Sequence, residues 1–187
     1  MIRSSLIVIS LALAGCQSEA GPEFNEEASS AIQEFATTLR GALMQAMQEG
    51  GPIEAVEVCN TIAPEIAASL SEQYQFDIGR TSLKVRNPDN QPDEWETLVL
   101  KQFETRLKGG EDIAGISFSE VVDTEQGLQW RMMKAIPTEQ ACLTCHGATI
   151  AEPLQAIIDR YYPDDQATGF SAGQIRGAFT VSRPLGN

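Results

Sequence analysis

The stretch Ile113–Ile136, IAGISFSEVVDTEQGLQWRMMKAI, decides the fold class. Two apolar, β-branched and aromatic runs, Ile113 to Val122 and Leu128 to Ile136, flank the polar segment Asp123 to Gly127, and that order predicts a β-hairpin. Upstream, Asp93 to Leu107 carries Trp95, Leu98, Val99, Phe103 and Leu107 at helical spacing and stops at Gly109-Gly110. Asn87-Pro88-Asp89-Asn90-Gln91-Pro92 is a dense turn signal, and Phe76 to Val85 before it reads as extended. Two helices open the domain. Phe24 to Gln48 repeats apolar residues at Ala28, Ile32, Phe35, Leu39, Leu43 and Met47. After Glu49-Gly50-Gly51-Pro52 a second helix lines up Ile53, Val56, Cys59, Ala63, Ile66 and Leu70, and Pro64 inside it predicts a kink or a restart. Downstream follow a short helix, Ala151 to Tyr161, and a strand, Ile175 to Arg183. Helices grouped beside an antiparallel sheet make an α+β domain.

The chain has 187 residues, 42% of them hydrophobic and 21% charged, enough for one domain with its own core. Its 26 acidic residues outnumber 13 Lys and Arg, for a formal charge of -13. A nucleic-acid binder needs a basic footprint to neutralise phosphates, and an anionic membrane repels such a surface. Nucleic acid is excluded, and membrane attachment must come from something other than charge.

The N-terminus supplies that something. Arg3 and the apolar run Leu6 to Ala14 form a secretory signal too short to span a bilayer. The run ends in Leu13-Ala14-Gly15-Cys16, which resembles the bacterial lipobox, whose cysteine is lipidated and becomes the mature N-terminus. The expected organisation is a signal peptide over 1–15, a lipidated tether over 16–23 and a folded domain over 24–187. The expected location is the periplasmic side of a bacterial envelope, with Gln17 after the cysteine pointing to the outer membrane. The plainer alternative is an ordinary signal peptide with Cys16 near its cleavage site.

Cys142-Leu143-Thr144-Cys145-His146 carries the chemistry. Two thiols at this spacing can add to the two vinyl groups of one haem, and the adjacent imidazole can ligate its iron: the pattern of c-type haem attachment. A zinc site needs about four ligands, and only Cys59 is left outside this segment and the anchor. A thioredoxin-like pair opens a helix after a strand, whereas Pro137 and Gly147 here flank a loop. His146 is the single histidine of the chain, so a bis-histidine haem is impossible. The sixth position falls to a Met, a Lys, Cys59, water or nothing. Met132, on the inward side of its strand with Leu128 and Trp130, is the ordinary choice, because Met/His ligation is the cytochrome c pattern. Met44 and Met47 are weaker rivals. Cys59 lies on an apolar helical face, where a lone cysteine is ordinarily inert packing.

Several segments together bear on that choice: Glu57-Val58-Cys59-Asn60-Thr61-Ile62-Ala63-Pro64, Ile78-Gly79-Arg80-Thr81-Ser82-Leu83-Lys84-Val85-Arg86-Asn87-Pro88, Cys142 to Gly147, and Gly169-Phe170 through Arg176-Gly177-Ala178-Phe179-Thr180-Val181. From Phe24 to Leu185 the chain resembles a family of single-haem c-type periplasmic domains of unknown function with a PAS-like haem fold, which includes a cyanobacterial haem lipoprotein. The resemblance implies a PAS-like antiparallel sheet with N-terminal helices packed beside it, one covalently bound haem c, and His/Cys axial ligation, hence His146 proximal and Cys59 distal.

Arg80, Lys84 and Arg86 are three of the few cations, and strand alternation puts them on one side. Arg80 first, then Lys84 and Arg86, are candidate partners for the haem propionates, since guanidinium and carboxylate form bidentate bonds; the plainer alternative is ordinary surface charge near a turn. Phe103, Trp130 and Phe179 are candidates either to pack on the macrocycle or to be plain core.

Three functions compete. A redox or small-ligand sensor uses a Cys ligand as its switch, but with no kinase or cyclase output following in this chain it must signal through a separate protein. A low-potential electron carrier needs little more than one six-coordinate haem. An enzyme such as a peroxidase needs an open iron and a distal acid-base group, which the single histidine and the expected sixth ligand argue against. The sensor is the expected role, the electron carrier its alternative, and catalysis is not expected.

Overall fold

A computed structural model describes residues 21–185; the signal segment and Cys16 lie outside the described residues. Helix α1, Pro22–Glu49, begins two residues before the expected domain start, with Pro22 in the first turn, where its missing N–H is no loss. It buries Phe24, Ala28, Ala31, Ile32 and Phe35. Helix α2, Gly51–Glu57, runs into a π-helical turn, Val58–Ile62, and continues as α3, Ala63–Tyr74. Pro64 therefore widens the helix rather than breaking it. Its ring crowds the carbonyl four residues back and it has no N–H to offer, and the chain answers with the longer bond from the Ala63 N–H to the Val58 carbonyl.

Strand β1, Asp77–Thr81, is shorter than the extended run Phe76 to Val85 expected for it. The Ser82 hydroxyl accepts from the Lys84 N–H and turns the chain away, so alternation does not govern Lys84 and Arg86. Helix α4, Glu94–Lys108, opens with a reciprocal capping box between Asp93 and Glu96. Strands β2, Ser117–Thr124, and β3, Gly127–Pro137, form the expected hairpin, with Gly127 at φ 105°. The expected strand start is instead a 3-10 turn, Ile113–Gly115. A short α5, Leu143–His146, and α6, Glu152–Tyr161, precede β4, Ile175–Pro184.

The sheet runs β1-β4-β3-β2, antiparallel throughout. One face carries Ile78, Met132, Phe179 and Val181 and is covered by α1 and α3. The other carries Met133, Ala135 and Ala178 and is covered by Val99, Leu100 and Phe103 of α4. The N-terminal helices are therefore one of two covering layers. Three expected inward residues, Ile53, Leu98 and Leu128, face solvent instead, and so does the weaker ligand candidate Met44. On α4 the buried stripe is Glu96, Val99, Leu100 and Phe103, with Leu98 off it. A third, smaller cluster joins Val56 of α2 to Leu154, Ile158 and Tyr162, with Cys145 packed against it.

Candidate functional site

The Cys-rich segment hangs from the end of β3. Gln140–Cys142 forms a 3-10 turn, α5 adds one helical turn, and Gly147 stops it. A Cβ on Gly147 would lie 2.5 Å from the Leu143 carbonyl oxygen, so only glycine closes the turn this tightly. Glu139, tied to Arg40 of α1, donates its N–H to Cys142 Sγ at 3.3 Å. Cys59, Cys142 and Cys145 are all free thiols and half-buried.

His146 is held on both sides. Its Nδ1 lies 2.7 Å from the Ala167 carbonyl. A carbonyl only accepts, so Nδ1 carries the proton and Nε2 keeps its lone pair, the arrangement that prepares an imidazole for metal. The Phe170 ring meets the imidazole edge-on at 6.3 Å. Burial, reinforced by Arg176 and Arg86, pushes the imidazole pKa down to about 3, so the ring is neutral at physiological pH. The loop after α6 braces this arrangement. The Phe170 N–H donates to the His146 carbonyl and the Gly169 N–H to the Gly147 carbonyl. Arg86 Nη2 reaches the Cys145 carbonyl at 2.7 Å and Asp165 at 2.9 Å, and Asp165 in turn accepts the Ala167 N–H.

Cys59 sits in the π turn, a helix form that recurs at functional sites. Burial pushes its thiol pKa up, while the guanidinium groups of Arg80, Arg86 and Arg176 act in the opposite direction, favouring the thiolate. The same three cations act on His146. The fold thus brings Cys59 and His146, 87 positions apart in the chain, under one cationic cluster. Tyr162, buried in the third core, completes this wall, and its side chain bonds to Asn60.

The other sequence candidates separate. Arg80 is in the cluster, over the Phe35 ring at 5.6 Å. Lys84 is exposed at the rim, with Nζ on the Thr168 carbonyl and over Phe170. Met132 belongs to the core under α1, as do Trp130 and Phe179, and Phe103 lies in the core under α4. Sequence reasoning missed Arg176, Asp165 and Tyr162. Only Arg176 left a trace, as one of few cations and as a member of the Arg176-to-Val181 stretch that carries the family resemblance, with no role assigned to it.

Two adjacent thiols, a neutral imidazole with a free Nε2, a second thiol and a cationic surround form a donor set that fits a haem. The buried Nε atoms of Arg86 and Arg176, like that of Arg131 outside the site, have no hydrogen-bond partner among the described residues. Among the described residues no group of three or more His, Cys, Asp or Glu could hold a bare metal ion.

A family model described as Tll0287-like matches residues 17–184. The chain is similar in fold to the structure described as the cyanobacterial heme-protein Tll0287, with a TM-score of 0.66 at 24% identity over 88% of this chain and 97% of that one. No curated protein matches.

Proposed function

The chain belongs to the Tll0287-like family, and from that premise and the site's geometry we propose a membrane-anchored c-type haem protein that works as a redox or small-ligand sensor module. The observation that carries this reading is the convergence of His146 and Cys59 under one cationic cluster beside the two thiols. The similar cyanobacterial protein is itself described as a heme-protein. The sheet with helices on both faces is read as PAS-like.

When bound, the haem supplies a one-electron iron couple and a coordination position for a small ligand. Cys142 and Cys145 would hold the haem covalently, each thiol adding its S–H across one vinyl double bond with no oxidant required. His146 would ligate the iron through Nε2 while the Ala167 carbonyl holds its other nitrogen. Cys59 would supply the second protein ligand to the iron through its sulfur, and Arg80 and Lys84 would be available to the propionates. No residue is assigned a catalytic role.

Sensing requires Cys59 to yield its place. The reduced holoprotein should therefore bind CO rapidly, followed by the shift of its main absorption band. Absence of CO binding would sink the sensor reading in favour of a low-potential electron carrier.

The anchor is assigned to Cys16, following a signal over 1–15, and holds the folded domain on the periplasmic side of the envelope. Among the described residues no helix is long and apolar enough to cross a membrane. The mature protein should fractionate with membranes, and Cys16→Ser should release it or leave it unprocessed. A wild-type chain that is wholly soluble and begins at another residue overturns the anchor.

A further inference from the structure

Three guanidinium groups, Arg80, Arg86 and Arg176, share the buried site with one carboxylate, Asp165. Buried charge without a partner is costly, and this cluster leaves two positive charges uncompensated. The three arginines are not equivalent. Arg86 is a strut whose Nη2 is committed to Asp165 and to the Cys145 and Ala167 carbonyls. Arg80 has no hydrogen-bond or ion-pair partner among the described residues and rests on Phe35.

Arg176 is aimed by a defect in the sheet. The β3–β4 register runs Ile136 to Gly177 and then Pro137 to Ile175, so Arg176 is the extra, unpaired residue of a bulge. Bulges commonly re-aim a side chain beside a functional site. The neighbouring Gly177 lets β4 approach the end of β1: a Cβ there would stand 2.4 Å from the Thr81 carbonyl oxygen. That approach brings Ser82 to Arg176. Its hydroxyl donates to the Arg176 carbonyl at 2.8 Å and accepts from Nη1 at 3.1 Å. The guanidinium lies 5.2 Å over the Phe170 ring that flanks His146, and its Nε is buried and unpaired. Burial first, then Arg86 and Arg80, press its pKa down to about 10.

We propose that Arg176, with Arg80, is the carboxylate receptor for the two haem propionates, and that Lys84 is a rim contact. The inference rests on the haem reading above. Two propionates supply the two negative charges the cluster lacks, and the orphaned Nε of Arg176 supplies a donor for a side-on carboxylate bond.

The test uses purified holoproteins, with the resonance Raman deformation band of the propionates and the midpoint potential as readouts. Arg176→Met should shift the band and lower the potential, because losing a nearby cation favours ferric iron, while the axial ligation stays the same. Arg160→Met, at an exposed helix position, should leave both readouts unchanged. If Arg176→Met yields no holoprotein, Ser82→Ala should move the same band by removing the hydroxyl that orients the guanidinium. An unmoved band in a haem-loaded Arg176 or Ser82 variant overturns the proposal and leaves the haem reading standing, as does a band that moves with Lys84→Met instead. A wild-type protein that carries no haem overturns the haem reading itself.

Discussion

Acidified acetone will leave the haem on the wild-type polypeptide and will strip it from a chain lacking Cys142 and Cys145. Thioether bonds survive the denaturation that breaks iron ligation, so the partition of colour between pellet and solvent reads attachment directly. Replacing Cys145 alone should reduce holoprotein yield by more than the ~10–100-fold that loss of an outer-shell partner costs a metal site. Cys145 also packs against the cluster of Val56, Leu154, Ile158 and Tyr162, so its substitution loosens the wall of the site as well as one bond. Cys142 is half-buried but anchored by little more than the Glu139 N–H. Cys142→Ala should therefore cost less in folding and retain a single thioether. Haem recovered entirely in the solvent from the wild-type protein would refute the thioether assignment.

Cys59→Ser should convert a low-spin ferric haem into a high-spin or water-ligated one and raise its potential. Burial pushes the Cys59 thiol pKa up and the three arginines only partly offset it, but bound to iron the sulfur would be a thiolate, a stronger donor to ferric than to ferrous iron. Met132→Leu should leave the spectrum unchanged. Met132 is 6% exposed in the core of Phe24, Ile32 and Phe179, and a volume-conserving exchange there costs less than about 1.5 kcal/mol of stability. EPR of the two ferric variants decides the matter. A low-spin signal abolished by Met132→Leu and kept in Cys59→Ser would make this an ordinary Met/His cytochrome.

What was legible in the chain was what local pattern controls. The hairpin announced itself because alternating apolar runs meet a polar turn, and β4 because Ile175 to Arg183 is an apolar run closed by Pro184. Cys142, Cys145 and His146 needed only their spacing. Pro64 foretold a disturbance but not its form, since widening into a π turn rather than breaking depends on what holds the helix on each side. Arg176 was illegible for a deeper reason. Its direction comes from a bulge against β3 and a contact with Ser82, 94 positions away, and neither is written in its neighbours. Asp165 lies in a loop whose shape follows from the groups it bonds. The apolar spacing of α4 makes it legible as a helix, but no periodicity says which face of a sheet a helix will cover.

The π turn has a rotational consequence. One residue added to a helical turn advances everything beyond it by about 100° around the axis. Val56, before the turn, faces the cluster built on α6, whereas Ile66 and Leu70, after it, face the cluster beneath α1. The same rod is thus phased to two separate cores, with Cys59 in the gearing between them. Relaxing the turn to regular α-helix would rotate one apolar face out of its core, so the sulfur is indexed by the packing at both ends of the rod.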